Sequence, residues 1–492
     1  MNKKKLLEYD LEILSRYHPI IDDVPAFEAS ITSPMPRFVW ANTLRTTPER
    51  LRDVLERDGY VLEPLPWHPG AFRIPGSADG LGRHWSYLAG FFQIQEASAM
   101  VPALLLDSRP GERVLDLCAA PGNKTAQVAV ALDNTGTVVA NDQVGARLRA
   151  VRQTINRLGL LNVTVVCHNG MTFPKSGGQF DRVIVDVPCS CEGTSRRRPG
   201  KIHPPSPTIH KSAHRQKLLL RQAIQRCRPG GTILYSTCTY APEENESVID
   251  AILRELSGSV RIVPVQLPGF CMAPGISEWN GAAFHPDIRH TRRIWPHLND
   301  TGGFYVARLE KIDDGPDDTV DVPMLAEAGE DAFVMGTQHP LADTRQFLNL
   351  LRQRFGISER SFDGVALLSK HDQEIYGAAA DHCPPLIDGR IIGLPLMTLS
   401  HRYPKFSTAG ATAFGGGAGK NIVDVDRSQL DAYLARETVL LTDVQAGDCE
   451  GTGYVLIRYD GVMMGVGLFN ASSRTVASMF PKSLAVIRSD AH

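Results

Sequence analysis

Short apolar runs recur between residues 113 and 308, and stretches with helical spacing of apolar positions separate them. Such runs, bounded by turn residues, are typical of strands that are buried on both faces. Strands that alternate with helices predict a mostly parallel, doubly wound α/β sheet. The predicted strands are 113–117, 136–140, 163–167, 182–186, 232–236 and 303–308, and the predicted helices are 124–132, 144–158 and 212–227.

The pattern differs on either side of this region. Before it, Thr47 and Pro48 favour a helix start, Gly59 favours its end, and strand-like runs follow at 60–65 and 72–74. These elements predict a small α+β module at the N-terminus. After the α/β region comes a polar, turn-rich stretch, and the end of the chain alternates like a small β-module. The predicted segments are 1–90 (N-terminal module), 91–311 (α/β domain), 312–323 (acidic linker) and 324–492 (C-terminal α+β region).

Composition narrows the class of protein. Hydrophobic residues make up 43% of the 492 residues and charged residues 22%, which is ordinary for a soluble globular protein. No apolar stretch of about 18 residues is present, so no membrane span is expected. The first nine residues carry three lysines but no apolar segment, which disfavours a signal peptide. Nine scattered cysteines favour a reducing cytoplasm over a disulfide scaffold.

Basic residues concentrate in one stretch although the formal net charge of the chain is only -2. Between Cys189 and Arg228 there are ten Lys and Arg residues against one acid, Glu192, a net charge of +9. This asymmetry predicts a surface that faces an anion such as RNA, and the alternative is a solvated helix face.

A small-residue loop follows the first strand of the α/β region, at residues 118–125. Ligands of doubly wound sheets bind at the carboxyl ends of the strands, where Gly122 permits a tight turn. Asp142 ends the next strand, where an acid can accept both ribose hydroxyls of a nucleoside. The loop has one glycine where a dinucleotide site needs three, which favours S-adenosylmethionine. A tight turn without a ligand is the alternative.

Two further strand ends carry thiols. Cys189 follows Asp186, and Cys238 follows the predicted strand 232–236, so both are expected to face the crevice of the cofactor loop. Carbon 5 of cytosine becomes nucleophilic only after a thiolate adds to carbon 6, and an acid near the ring nitrogen offsets the developing charge. A cysteine, a carboxyl group and a methyl donor in one crevice therefore predict cytosine methylation. Buried structural cysteines are the alternative.

A metal site at the same cysteines is a further alternative. Cys189 and Cys191, with His203, His210 and His214, fit no tetrahedral zinc spacing of two clear pairs. No metal is therefore expected.

Five motifs together resemble the Nop/Sun family of RNA 5-methylcytosine methyltransferases, and the layout with a long C-terminal extension is most similar to the bacterial RsmF type that acts on small-subunit ribosomal RNA. The resemblance implies a Rossmann-like class I methyltransferase fold and S-adenosyl-L-methionine as cofactor. The motifs are 92–98, 115–125, 186–190, 228–231 and 235–239.

The resemblance also implies roles for single residues. Cys238 would be the nucleophile, Cys189 would assist product release, and Asp186 would contact the cytosine. The presence of both thiols resembles the pattern of the RNA enzymes. DNA cytosine methyltransferases instead use the thiol that corresponds to Cys189 as nucleophile. The implied cofactor-binding residues are Cys118, Ala119, Ala120, Pro121, Gly122, Asn123, Lys124, Asp142, Arg147, Asn169 and Asp186.

The chain departs from the family pattern at Asn169, where Asp is usual, and at Cys191, where Gly is usual. After the loop that carries Cys189 and Cys191, the family pattern has one arginine, and this chain has three in a row. Arg196, Arg197, Arg198 and Lys201 are expected to contact RNA phosphates. The first module is similar to the family's N-terminal RNA-binding module, and 390–492 resembles a PUA-type RNA-binding module.

The expected partner is ribosomal RNA, with the small ribosomal subunit as the assembly and transfer RNA as the alternative target. No membrane partner is expected. One rival hypothesis is a catalytically silent RNA-binding assembly factor on the same fold, which would require a damaged cofactor loop or the loss of Cys238. Another is a methyltransferase for proteins or small molecules, which the basic stretch disfavours.

Overall fold

The computed structural model describes residues 3–202, 208–313, 338–371, 373–399 and 404–486. The predicted acidic linker, 312–323, lies almost wholly outside these ranges, as does His203. Along the described parts of the chain, no helix has the length and apolar character needed to cross a membrane.

The N-terminal module contains an antiparallel sheet of order β2-β3-β1-β4. The Thr47 hydroxyl accepts the N–H of Arg50 and Pro48 occupies the first turn, so the predicted helix forms as α3. Strand β4 pairs with β1, which carries this sheet past the expected boundary at residue 90. The elements are α1 (Lys3–Leu14), α2 (Val24–Thr32), β1 (Arg37–Ala41), α3 (Pro48–Arg57), β2 (Glu63–Pro64), β3 (Ala71–Ile74), α4 (Trp85–Leu88) and β4 (Phe92–Ile94).

The central domain holds the predicted doubly wound sheet. Its elements are α5 (Ala97–Leu106), β5 (Arg113–Asp116), α6 (Asn123–Ala131), β6 (Thr137–Asn141), α7 (Gly145–Leu158), β7 (Val163–Val166), β8 (Phe180–Asp186), α8 (Thr208–Arg226), β9 (Cys227–Thr237), α9 (Glu246–Glu255), β10 (Val260–Ile262), β11 (Ala273–Pro274), β12 (Glu278–Trp279), β13 (Ala282–Ala283), β14 (Arg292–Ile294), α10 (Pro296–Asn299) and β15 (Phe304–Lys311). Each predicted strand and helix of this region forms, although β9 begins five residues before the expected 232.

Strands β7, β6, β5, β8 and β9 are parallel neighbours in that order, and β15 follows antiparallel beside β9. Successive residues of β5 point into different cores: Val114 joins the core on one face, and Leu115 joins the core on the other. Both side chains are fully buried, which explains why the strands read as continuous apolar runs.

The C-terminal region contains two further sheets, of order β16-β17-β18-β20-β21 and β22-β24-β25-β26-β23. Its elements are β16 (Gln338–Pro340), α11 (Thr344–Phe355), β17 (Val365–Lys370), β18 (Glu374–Ala379), β19 (Ile391–Ile392), β20 (Leu394–Thr398), β21 (Lys405–Phe406), α12 (Thr408–Phe414), β22 (Ile422–Asp424), α13 (Arg427–Leu434), β23 (Thr438–Leu440), α14 (Asp443–Gly447), β24 (Gly453–Tyr459), β25 (Val462–Asn470) and β26 (Thr475–Ser478). Strand pairing joins β20 and β21 to the first sheet, so a module that began near residue 390 would divide it.

The C-terminal region is attached to the edge of the central sheet. Strand β19 pairs antiparallel with β7. Beside it, the Asp381 carboxylate accepts the N–H of Gly136 at 2.7 Å, and buried His382 lies 2.6 Å from the Thr164 hydroxyl. These polar contacts supplement the strand pairing at the junction.

Candidate active site

The loop after β5 turns tightly at the carboxyl end of the sheet. Ala119 donates its N–H to Asn141 at the end of β6, at 2.7 Å. Gly122 has φ +106, and a β-carbon there would lie 3.0 Å from the α-carbon of Val151. Only glycine meets both requirements, so this position holds α6 close against α7 and leaves the loop open above the sheet.

Asp142 and Arg147 tie the second strand end to this loop. The Asp142 carboxylate is 4% exposed, accepts the N–H of Val144 at 2.9 Å and lies 3.1 Å from the Arg147 guanidinium. Arg147 also donates to the carbonyl of Ala120 at 2.8 Å. The ion pair therefore fixes the carboxylate beside residues 118–121, where a nucleoside ribose would lie.

A cavity of about 170 Å³ continues from Asp142 towards Asn169. Asn169 caps a short turn, where its side-chain oxygen accepts the N–H of Met171 at 3.0 Å. The carbonyl oxygen of the side chain is thereby engaged with the backbone, and a neutral amide stands where the family that the chain resembles usually has a carboxylate. Cys118 and Asp142 line the same cavity.

A second cavity, of about 470 Å³, lies over the ends of β5, β8 and β9 and shares Cys118, Arg147 and Cys189 with the first. Asp116 lines it and is 1% exposed. Among the described residues, its Oδ1 has no hydrogen-bond partner, and burial raises the pKa of this carboxyl to about 7. Asp116 and Asp186 both line this cavity, and their acidic side chains suit the positively charged groups of S-adenosylmethionine as the Asp142 end suits its ribose.

Asp186 lies at the end of β8 and lines the second cavity. Its carboxylate accepts from the Lys124 ammonium at 2.7 Å and from the Ser236 hydroxyl at 2.7 Å. Lys124 comes from the first turn of α6 and also lies over the ring of Phe304. The carboxylate is held in one orientation between the cofactor loop and β9.

The two thiols singled out in the sequence lie side by side. Strands β8 and β9 are parallel with Asp186 opposite Ser236, so the residues that follow emerge at one edge. The sulfurs of Cys189 and Cys238 are 3.5 Å apart, and both line the second cavity. The structure thus brings Cys189, Cys238, Asp186 and the loop 118–124 into one cleft.

Two buried glutamates that the sequence analysis did not assign hold the thiol loops. Glu244 accepts from the N–H and hydroxyl of Ser190, next to Cys189. Glu192 accepts from the hydroxyl of Tyr17 and from that of Thr239, next to Cys238, each at 2.8 Å. In the sequence, the only sign of this supporting role is that both glutamates lie close to a cysteine.

The thiols also include Cys191, and the three groups titrate together. Hydrogen bonds from Cys189 and Cys238, aided by the charges of Arg198 and Arg197, lower the pKa of Cys191. Hydrogen bonding to Cys191 and Cys238, with burial, raises the pKa of Cys189. The hydrogen bond from Cys189 lowers the pKa of Cys238, but contact with Cys191 and burial outweigh it and raise that pKa. These surroundings favour the thiolate form more at the exposed Cys191 than at Cys189 or Cys238.

The expected role of Arg196 is wrong. Its side chain is 1% exposed, pairs with Asp300 at 2.7 Å, and donates to the carbonyls of Thr301 and Pro34. These bonds connect the loop after β8 to the N-terminal module and to the turn before β15. Arg197 and Arg198 are exposed and line the second cavity, and Lys201 is exposed beyond them.

The chain is similar to known proteins over its central domain and, for some relatives, over most of its length. A family profile described as 16S rRNA methyltransferase RsmB/F matches residues 103–310. The chain is 30% identical to "Ribosomal RNA small subunit methyltransferase F" of Vibrio vulnificus, over 94% of each chain. It is 34% identical to the "tRNA (cytosine(49)-C(5))-methyltransferase" of Pyrococcus abyssi, over 63% of this chain and 98% of that protein.

A solved "Methyltransferase Homolog Protein from Pyrococcus Horikoshii" superposes with a TM-score of 0.53 and 31% identity, over 58% of this chain and 90% of that one. This likeness confirms the predicted class I methyltransferase fold. Other curated relatives are longer: the chain spans 42% of the mouse "28S rRNA (cytosine-C(5))-methyltransferase". Because the Vibrio relative matches nearly end to end, the chain belongs to the RsmB/F family of RNA cytosine-C5 methyltransferases.

Proposed function

We propose that the chain methylates carbon 5 of a cytosine in RNA, and that Cys238 acts as the covalent nucleophile. The observation that carries this proposal is the grouping of Cys238, Cys189 and the Lys124–Asp186 pair at neighbouring strand ends. The 3.5 Å separation of the two sulfurs lets both reach one base. S-adenosylmethionine, when bound, supplies an electrophilic methyl group.

Cys238, Asp186 and Cys189 have different roles in the proposed reaction. The Cys238 thiolate adds to carbon 6 of the cytosine, and the electrons of the 5,6 double bond make carbon 5 nucleophilic. Asp186 faces the base and, in its protonated form, donates a hydrogen bond to the ring nitrogen, which offsets the negative charge that develops there. After carbon 5 has gained the methyl group, its proton passes to water, the double bond re-forms, and the sulfur of Cys238 leaves as a thiolate. Cys189, beside that sulfur, assists this release.

The target base must leave any stack to reach Cys238, because the thiols lie inside a cleft. Arg197 and Arg198 are exposed and line the cleft, and Lys201 is exposed three residues further along the chain, which supports a role for all three in holding the phosphates on either side of the base. Phosphate contacts orient the strand without reading its bases. We assign the phosphate-binding role to these three residues and leave Arg196 out.

We favour small-subunit ribosomal RNA as the target. The small-subunit relative from Vibrio matches across the C-terminal sheets as well, whereas the transfer-RNA relative matches only 63% of the chain. We propose that the C-terminal region adds RNA contacts, since its attachment through β19 and His382 fixes it relative to the cleft. Transfer RNA is the second candidate, because a family member that covers the catalytic part is named for it.

Bisulfite sequencing of total RNA from a strain that lacks the gene distinguishes these targets. We expect one 5-methylcytosine to disappear from the small-subunit ribosomal RNA of this strain. It should return when the wild-type gene is restored. The loss of a transfer-RNA position instead would select the second candidate. An unchanged methylation pattern would contradict the proposed activity.

Asp142→Ala is expected to weaken cofactor binding by at least about 100-fold. A carboxylate that accepts from two ribose hydroxyls makes charge-assisted hydrogen bonds, each worth roughly 1.5–3 kcal/mol. Calorimetry with S-adenosylmethionine measures the effect. Asp142→Asn, which can still accept the N–H of Val144, separates the lost charge from a disturbed loop. Unchanged affinity in both variants would show that Asp142 does not hold the cofactor.

Replacing Arg197 and Arg198 together by alanine is expected to weaken RNA binding and to flatten its salt dependence. The slope of log affinity against log salt should fall by about 0.7 per lost phosphate contact on single-stranded RNA. Cofactor affinity and the choice of cytosine should not change. The matched control is Arg196→Ala, which should lower the thermal midpoint of unfolding and leave the slope intact, because Arg196 is buried against Asp300. An unaltered slope in the double variant would remove the phosphate-binding role.

A further inference from the structure

Cys191 gives the cleft a third thiol. It is exposed, and its backbone has φ +60, a conformation that glycine adopts without strain. Its sulfur and those of Cys189 and Cys238 all lie within 4.8 Å of one another. All three thiols are free. They come from two strand ends, so the cluster exists only in the folded chain.

The separation of the sulfurs matches a metal site. Zinc–sulfur bonds of about 2.3 Å place the sulfurs of a trigonal or tetrahedral site roughly 3.8–4.0 Å apart. The Cys189–Cys238 separation of 3.5 Å and the 4.8 Å limit on the others bracket this range. Small side-chain rotations are therefore enough to place one ion among the three sulfurs.

Charge favours a divalent ion over a monovalent one. Three thiolates around a divalent cation carry a net charge of -1, whereas a monovalent cation would leave -2 in the cleft. Arg197 and Arg198 line the same cavity and offset an anionic complex. Sulfur ligands select soft or borderline ions and exclude magnesium and calcium. The fourth position of the metal would face the open cavity.

We propose that Cys189, Cys191 and Cys238 bind one thiophilic divalent cation, zinc in the cell, and that the bound ion blocks the cleft to RNA. Each thiol loses its proton as its sulfur binds the metal. The site differs from the zinc pattern of cysteines and histidines in the sequence, because the third ligand is Cys238 and neither His210 nor His214 belongs to the cluster. The blocking effect rests on the proposed function, whereas metal binding does not.

Cadmium is the probe for the site, because its bonds to thiolates give a charge-transfer absorbance that grows with the number of sulfurs bound. We expect the full-length chain, kept reduced by a phosphine, to show an endpoint at one equivalent with the intensity of three thiolates. Cys191→Gly should bind at least about 100-fold more weakly, with two-thiolate intensity, since loss of a direct ligand costs no less than loss of an outer-shell partner. The positive φ of residue 191 makes this substitution conformationally safe.

Cys271→Ser is the matched control, because Cys271 is an exposed thiol outside the cluster. This variant should titrate like the wild type. Equal cadmium affinity in wild type and Cys191→Gly, or a wild-type endpoint without three-thiolate intensity, would overturn the metal site. Neither the cadmium affinity nor the absorbance at the endpoint requires an RNA substrate.

The blocking effect is measured separately, as methyl transfer in zinc-buffered solution. Zinc should inhibit the wild type at a free concentration about 100-fold lower than it inhibits Cys191→Gly, each variant being compared with its own zinc-free rate. Equal sensitivity of the two proteins would overturn the block while leaving the cadmium result intact. Absence of methyl transfer without zinc would instead contradict the proposed function.

Discussion

Cys238→Ala is expected to abolish methyl transfer, with a loss of at least about 10³-fold in turnover, as for other enzymes that lose their covalent nucleophile. Without the thiolate, carbon 5 of cytosine has no route to become nucleophilic. Transfer of a radioactive methyl group to RNA measures the loss. Cofactor affinity should stay near normal, because the loop 118–124 and Asp142 lie on the other strand ends.

Calorimetry with S-adenosylmethionine and a thermal melt are the controls for this variant. Both should match the wild type, since Cys238 is half-buried at a loop and its backbone carbonyl still accepts the N–H of Gly193. A variant that keeps more than a few per cent of the wild-type turnover would show that Cys238 is not the nucleophile.

Cys189→Ala is expected to trap a covalent complex with RNA. Cys238 can still add to the base and the methyl group can still be transferred. The variant lacks the Cys189 sulfur, which lies 3.5 Å from the Cys238 sulfur and assists release. A denaturing gel of protein incubated with RNA and cofactor should show a retarded band that persists. Multiple-turnover methylation should fall while the first turnover survives.

The control for the trapped complex is the double variant Cys189→Ala/Cys238→Ala. It should give no retarded band, because the sulfur that forms the bond is absent. Full multiple-turnover activity of Cys189→Ala, with no retarded band, would remove the role that we assign to Cys189.

The sequence predicted the central sheet well because both of its faces are covered. Val114 and Leu115 are buried in different cores, so the strand is a continuous apolar run that no surface requirement interrupts. The helix at Pro48–Arg57 was equally predictable, because its Thr47 cap and first-turn proline act locally. The thiols and Asp186 could be placed at one edge because parallel strands end on the same side.

Long-range partners explain what the sequence did not reveal. Arg196, Arg197 and Arg198 are identical in type, and only the fold shows that Asp300, more than one hundred residues later, buries the first of them. The strand Ile391–Ile392 is too short to predict, and it forms because the edge of β7 offers free backbone groups to pair with. Glu244 and Glu192 support the cysteine loops only through contacts that the folded chain creates.

Peptide mapping of the covalent RNA adduct tests the central claim most directly. The complex trapped by Cys189→Ala would be digested with protease and nuclease, and the peptide that carries the nucleotide would be sequenced by mass spectrometry. The account predicts a methylated cytosine nucleotide attached to the sulfur of Cys238. Attachment at another residue such as Cys191, or a methyl group on an atom other than carbon 5, would contradict it.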